Sequence, residues 1–172
     1  CDPDYWAGIT LLNMGRTYAA IRRLEKALEC KYNLAHSAET LNKIFQILRE
    51  SSPSNGTVLY RWGQILEKLQ RSDEAFKSML DGAITTLTAK DSSDYTSQAY
   101  EQFEGAIILA ERADLSLDVV CSCHVWMGKL LIEEKGDILK GLSTLSKIIT
   151  QYDHGRDSNG KASRECVQAA VA

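Results

Sequence analysis

Apolar residues recur every three or four positions along most of the chain, which is the spacing of one face of an α-helix. From Asp4 to about Lys31, this face is made of Trp6, Ile9, Met14, Tyr18, Ile21, Leu24 and Leu28. The strict alternation of apolar and polar residues that indicates a half-buried strand is nearly absent, and the helix formers Leu, Ala, Glu, Lys and Gln dominate. The sequence therefore predicts an all-α protein.

Polar and turn-forming residues divide this pattern into eight or nine predicted helices joined by short links. The stretch up to Lys31 is one long helix or two, and Ser37 is predicted to cap the next helix, which ends before a loop at 51–56. Further helices are predicted at 58–70, 74–88, 95–113, 117–134 and 138–152, and a last helical segment follows a polar loop at 153–160.

The links between these helices are all turns or small loops, and the composition hardly changes along the chain. We therefore expect residues 1–172 to form a single helical-repeat domain. The chain begins at Cys1 without a methionine and ends at Ala172 in an alanine-rich stretch that is predicted to be helical. Both features predict a fragment of a longer protein.

The charge balance bears on the class of partner. Twenty basic and 23 acidic residues are scattered along the 172 residues, for a net charge of −3. This distribution lacks the basic patch that a phosphate backbone requires, so nucleic acid is not an expected partner. No apolar run approaches the roughly 18 residues of a membrane span, so we expect no membrane segment.

The five cysteines, an odd number with wide and irregular gaps, argue against a small secreted disulfide framework. They predict a reducing compartment, cytoplasmic or nuclear. Cys121, Cys123 and His124 form the one cluster that suggests a metal or an active site, because thiolates and imidazole bind zinc. Within a helix, however, Cys121 and Cys123 point in nearly opposite directions, and no second ligand pair follows at a metal-like spacing. A packed, reduced pair is the favoured interpretation, with no catalytic residue, no metal and no cofactor expected.

The hairpin predicted at 57–88 carries the strongest pattern. Its first helix has large apolar residues around a glycine, and its second helix, after a tight turn at 71–73, has small residues at intervals. The set consists of Leu59, Trp62, Gly63, Leu66, Ala75, Met79 and Gly82. It resembles the tetratricopeptide repeat, in which the glycine and small residues let two helices come close and the large ones fill the seam. The resemblance implies antiparallel helical hairpins stacked as an irregular right-handed α-solenoid.

Two weaker echoes of the pattern occur elsewhere. In the first, Leu11, Met14, Gly15 and Tyr18 repeat the spacing, with Ala27 twelve residues after the glycine. The second is His124-x₂-Met127-Gly128-x₂-Leu131, whose following helix fits only if one residue is inserted, so that Gly141 and Leu145 take the small and large places. The glycines do not follow a strict 34-residue period, so the array is expected to be irregular.

The resemblance also implies a function. Proteins of this family usually bind partners along the concave face made by the first helices, where this chain has Tyr60, Arg61, Gln64, Lys68, Trp126 and Lys129. We expect a scaffold that binds a partner peptide, helix or subunit there, and not an enzyme. One alternative is a structural spacer of a larger α-solenoid, with self-association through its end repeats. A less favoured one is a metal-binding or enzymatic protein using Cys121, Cys123 and His124.

Overall fold

A computed structural model describes residues 2–29 and 34–154, in which eight α-helices and no strand are present. The prediction of an all-α protein is confirmed. The helices are α1 (Asp2–Asn13), α2 (Thr17–Ala27), α3 (Leu34–Ser51), α4 (Gly56–Lys68), α5 (Ser72–Ala89), α6 (Tyr95–Arg112), α7 (Leu117–Lys129) and α8 (Ile138–His154). A five-residue π-helical segment, Leu130–Glu134, continues α7. The last predicted segment lies outside the described residues.

The chain divides into two compact units, Cys1–Gly82 and Ala83–Ala172, and the boundary falls within α5. In the first unit, α1, α2, α3 and α4 pack each on the next in sequence. Buried residues from α2, α3 and α4 form one apolar cluster: Ile21, Leu24, Ala38, Leu41, Ile44, Phe45, Val58 and Ile65. In the second unit, α7 packs against both α6 and α8.

Residues 2–29 contain two helices, because Gly15 ends α1 in the left-handed conformation, with φ at +73°. The Arg16 N–H donates to the Leu11 carbonyl at 2.9 Å, which closes a glycine-based helix end of the Schellman type. The single continuous apolar face predicted for this stretch is therefore wrong. Trp6, Met14 and Tyr18 are more than 60% exposed, since the turn at Gly15 re-orients α2.

The predicted cap at Ser37 is also wrong, since α3 begins at Leu34. Ser37 lies one turn inside the helix, fully buried, and its hydroxyl has no hydrogen-bond partner in the described part of the chain. The cap of α4 is Asn55, whose side-chain oxygen accepts a hydrogen bond from the Val58 N–H at 3.1 Å. This bond explains why the loop at 51–56 ends where it does.

The α4–α5 hairpin is packed at the residues that the sequence pattern selects. A Cβ atom at Gly63 would lie 2.7 Å from the Ala75 carbonyl oxygen, and one at Gly82 would lie 2.6 Å from the Tyr60 backbone nitrogen. Leu59, Leu66, Ala75 and Met79 are buried in the seam. The Ser78 hydroxyl donates to the Leu59 carbonyl at 2.8 Å and adds a polar contact between the helices.

The α1–α2 hairpin has the same internal spacing, but its close-approach glycine is Gly8. A Cβ atom at Gly8 would lie 2.7 Å from the Leu24 Cγ, whereas nothing lies within 4 Å of a Cβ atom at Gly15. The assignment of Gly15 to the close approach is therefore wrong. Ala20, Leu24 and Ala27 follow Gly8 by twelve, sixteen and nineteen residues, as Ala75, Met79 and Gly82 follow Gly63.

The α7–α8 hairpin carries one additional residue, as the second echo requires. A Cβ atom at Gly141 would lie 3.0 Å from the Gly128 carbonyl oxygen, and one at Gly128 would lie 2.6 Å from the Leu145 Cγ. Gly141 and Leu145 follow Gly128 by thirteen and seventeen residues, one more than in the other hairpins. The π-helical segment at 130–134 lies between them and absorbs the extra residue, because a π-turn holds one residue more than an α-turn.

Candidate functional site

An open cleft of about 620 Å³ lies beside α3 and α4 in the first unit. It is lined by Gln46, Arg49 and Glu50 of α3, Pro53 of the following loop and Trp62 of α4. Its volume lies within the range of pockets that bind small molecules or a few side chains of a peptide. Trp62 was predicted as a seam residue. It does pack against the apolar cluster of this unit, but it is only half-buried and also faces the cleft.

Two polar contacts fix the Trp62 ring. Its indole N–H donates to the Asn42 side-chain oxygen at 2.8 Å, and the Arg49 guanidinium lies over the ring, 5.1 Å from its centre. Asn42, Gln46 and Arg49 follow one another at one-turn intervals on α3, so they lie along one face of that helix. The cleft therefore has an aromatic wall with a defined orientation and a cation stacked on it.

Arg61, predicted as a partner contact, is already engaged within the chain. It forms an ion pair with Glu25 of α2 and lies over the Phe45 ring of α3, with its guanidinium carbon 5.7 Å from the ring centre. The side chains of Arg61 and Glu25 are 36% and 32% exposed. Arg61 thus connects three helices of the first unit, and its main contacts are structural.

The other predicted contacts on α4 differ in exposure. Gln64 and Lys68 are exposed, whereas Tyr60 is half-buried, with its backbone beside Gly82. The structure does not bring Gln64 or Lys68 into the cleft lining, which contains Trp62 as the one member from α4. Their role in partner binding stays a prediction.

In the second unit, Trp126 is half-buried on α7 and Lys129 is exposed. The first turns of α8 carry a different surface feature. Ile138, Leu139 and Leu142 are 57%, 83% and 54% exposed and form an apolar patch, which we name the α8 patch. Exposed aliphatic side chains grouped in this way often mark an interaction surface.

Lysines lie close to the α8 patch. The ammonium groups of Lys135 and Lys140 lie over the Tyr100 ring of α6, 4.6 and 4.8 Å from its centre. Nearby, Glu134 at the end of the π-helical segment accepts hydrogen bonds from Tyr95 at 2.6 Å and from Lys90 at 2.9 Å. These two bonds lower the pKa of Glu134 below its usual value. They tie the end of the π-helical segment to the start of α6.

Cys121, Cys123 and His124 have separate environments. Cys123 is a free, buried thiol that contacts the Phe103 carbonyl oxygen at 3.4 Å, and burial raises its pKa to about 12. Cys121 is disulfide-bonded, so the expectation of two reduced thiols is wrong for this residue. Cys1, Cys30 and Cys166 lie outside the described residues.

His124 is half-buried, and its Nδ1 atom has no hydrogen-bond partner in the described structure. Burial lowers its pKa, and this effect is larger than the opposing one of Glu111. No three His, Cys, Asp or Glu side chains converge on a possible metal position within residues 2–29 and 34–154. The surroundings of Cys123 and His124 are those of packed side chains, so the cleft is the stronger candidate site.

The sequence pattern predicted the hairpin seam but missed Asn42, Gln46 and Arg49. The sequence of α3 shows an apolar stripe of Leu41, Ile44, Phe45 and Leu48. The missed residues form a polar stripe beside it, at intervals of four and three residues. Polar stripes are common on exposed helices. This one is a candidate binding surface only because Trp62 lies beside it in the folded chain.

No protein-family model matches the chain, and a search of curated proteins gave no match. Among the described residues, no helix combines the length and hydropathy that crossing a bilayer requires. The candidate function therefore depends on the geometry of the hairpins, the cleft and the α8 patch.

Proposed function

We propose that this protein is an interaction scaffold of the tetratricopeptide kind, in which stacked helical hairpins present surfaces to a partner peptide, helix or subunit. The observation that carries the proposal is the shared hairpin geometry. Glycines at residues 8, 63 and 128 each lie against the second helix of their own hairpin. A helical hairpin buries its apolar face against neighbouring helices, and arrays of such hairpins serve widely as binding surfaces.

The cleft at Trp62 supports a binding role. The largest ring of α4 is half-exposed and is contacted by Asn42 and Arg49. Trp and Arg are also among the residues that contribute most to protein interfaces. We place the main contact surface at the cleft, with Gln64 and Lys68 of α4 as flanking contacts.

Quantitative co-purification from the native cell tests the scaffold function. The tagged chain is compared with Arg49→Glu, which reverses a charge in the cleft, and with Arg22→Glu, which reverses an exposed charge on α2 outside it. We expect a discrete set of proteins that the wild type and Arg22→Glu enrich over a tag-only control, and that rebind the purified chain. If the folded wild type enriches no protein that rebinds it, the scaffold function is wrong.

The second candidate function is a structural spacer within a larger α-solenoid. The α8 patch favours it, because three exposed aliphatic side chains on one helix are suited to packing on a neighbouring helix. Light scattering of the wild type and of Leu139→Asp with Leu142→Asp tests this alternative. Concentration-dependent association that the double variant abolishes supports it, and a monomer at all concentrations contradicts it.

The compartment belongs to the same proposal. The cysteine spacing predicts a cytoplasmic or nuclear protein, whereas the disulfide at Cys121 is typical of an oxidising environment. A thiol count of protein taken from the native cell under acid quench distinguishes the two. A reduced Cys121 supports the cytoplasmic or nuclear prediction, and an oxidised one contradicts it.

A further inference from the structure

Arg61, which precedes Trp62 in the sequence, and Arg49, which lies over the Trp62 ring, differ in their ion pairing. Arg61, the neighbour of Trp62 on α4, has Glu25 as its carboxylate partner. Arg49, which lies over the ring from α3, pairs with no carboxylate among the described residues, although Glu50 also lines the cleft. When an exposed guanidinium lies over an aromatic face, its N–H groups point outward from its own edge and stay available as hydrogen-bond donors.

The Trp62 ring makes this guanidinium more than a solvated surface charge. Stacking limits the rotamers of Arg49, and the hydrogen bond from the Trp62 indole to Asn42 in turn limits those of the ring. A planar guanidinium with restricted rotamers binds a carboxylate through two parallel hydrogen bonds, at a smaller entropic cost than an unrestricted side chain. A carboxylate is the matching group that the unmodified side chains of a peptide supply.

The remaining cleft wall specifies a second ligand group. Pro53 and the face of Trp62 provide apolar surface beside the guanidinium, and Gln46 provides an amide that can donate and accept hydrogen bonds. A cleft of about 620 Å³ has room for two or three side chains. An apolar side chain next to the carboxylate would cover this surface.

We infer that the cleft binds a peptide segment in which an internal Asp or Glu side chain adjoins a large apolar residue, with the carboxylate on Arg49 and the apolar group against Trp62 and Pro53. This inference deepens the proposed function and rests on it. Charge complementarity with Arg49 selects the occupant, because Arg49 is the charged lining residue that lies over the Trp62 ring, whereas Glu50 lines the cleft without such a ring contact among the described residues.

Synthetic peptides test the inference without a known partner. The probes are acetylated, amidated octapeptides of Gly and Ser with a central Phe-Glu pair, and matched peptides with Phe-Gln, Ala-Glu or Phe-Lys in its place. Blocking both ends removes the terminal charges. The readout is the nuclear magnetic resonance signal of the Trp62 indole N–H in the full chain, assigned by its loss in Trp62→Phe.

We expect a saturable shift of this signal with the Phe-Glu peptide, and affinity lower by about tenfold for Phe-Gln, since one charged hydrogen-bonded pair is lost. Arg49→Gln is expected to weaken Phe-Glu binding by about the same factor and to remove the preference for Phe-Glu over Phe-Gln. Arg22→Gln, the matched control on α2, should bind as the wild type does.

Three results would overturn the inference: no saturable shift with any peptide, tighter binding of Phe-Lys through Glu50, or unchanged affinity in a folded Arg49→Gln variant. These outcomes are distinct from failure of the scaffold function. If native partners co-purify with the wild type and also with Arg49→Glu, the scaffold function stands and the carboxylate site is wrong.

Discussion

The backbone of α4 at Gly63 lies so close to α5 that a Cβ atom there would come within 2.7 Å of the Ala75 carbonyl oxygen. Backbone atoms of a packed helix cannot move aside as the end of a flexible side chain can. Gly63 is thus required by the distance between the two helices, which fixes how Trp62 and its neighbours on α4 are presented.

Gly63→Ala is predicted to lower the free energy of unfolding by about 1–3 kcal/mol, because the cost of overpacking exceeds the gain in helix propensity. Urea denaturation measures the effect. Gln64→Ala, an exposed change on the same helix, serves as the control and should stay within about 0.5 kcal/mol of the wild type. A Gly63→Ala variant as stable as this control would contradict the close approach of the helices.

The turns of the first two hairpins predict a reciprocal pair of substitutions. Gln70 ends α4 with φ at +60°, and Gly15 ends α1 with φ at +73°. Gln70→Gly is expected to stabilise the protein by about 0.5–1 kcal/mol, because glycine adopts this conformation without the steric cost of a Cβ atom. Gly15→Gln should destabilise it by a similar amount. Denaturant midpoints of the two variants that move in the same direction would refute the equivalence of the turns.

The ion pair between Arg61 and Glu25 predicts a stability effect that is separate from binding. Arg61→Ala is expected to cost about 0.5–1 kcal/mol, since both side chains are about one-third exposed and solvent weakens the pair. A double-mutant cycle with Glu25→Gln measures the coupling. The variant should keep any native partner that the wild type binds. If Arg61→Ala is as stable as the wild type but loses native partners, Arg61 is a contact residue after all.

Glu134 predicts a pH dependence of stability. Hydrogen bonds from Tyr95 and Lys90 lower the pKa of Glu134 in the folded protein below its ordinary value of 4.5. The ionised carboxylate therefore stabilises the fold above pH 4.5, and this stabilisation is lost as the pH falls through the lowered pKa. Glu134→Gln should be less stable than the wild type at pH 7, and the difference should shrink below pH 4.5. Denaturation midpoints of the two proteins at pH 7 and below pH 4.5 measure the difference, and a difference that stays constant would contradict this role of Glu134.

The buried thiol of Cys123 is expected to react slowly with alkylating reagents. Burial raises the pKa of its thiol to about 12, so almost no thiolate is present at pH 7, and the folded chain shields the sulfur atom. Iodoacetamide should modify Cys123 only after denaturation, as peptide mass spectrometry can show. Rapid labelling in the native protein would place Cys123 outside the core.

The helices and one hairpin were predictable from sequence because each depends on local spacing. The apolar period determines which face of α3 is buried, and the twelve-residue interval between Gly63 and Ala75 is set by the length of a helical hairpin. The close approach at Gly8 was missed because Gly15 occupies a similar sequence context. Only the backbone conformation separates a turn glycine from a packed one.

The cleft was less predictable because it depends on contacts between residues far apart in the sequence. The pairing of Trp62 with Asn42 and Arg49 requires the register of α3 against α4, which is set by side-chain packing. The pairing of Arg61 with Glu25 likewise depends on how α4 and α2 are positioned in the folded chain. A pattern of residue types on α4 alone therefore selected Arg61, whose charge is neutralised within the fold, and overlooked Arg49.

Site-specific photo-crosslinking tests the central claim most directly, namely that this folded hairpin scaffold presents the Trp62 cleft to a partner. A photoreactive phenylalanine analogue replaces Gln46 at the cleft or, as the control, Arg22 on α2, and the full chain is irradiated in its native cell. We predict a discrete protein adduct from position 46 that is absent from position 22 and decreases with Arg49→Glu. No adduct at position 46, or the same adducts at both positions, would contradict the account.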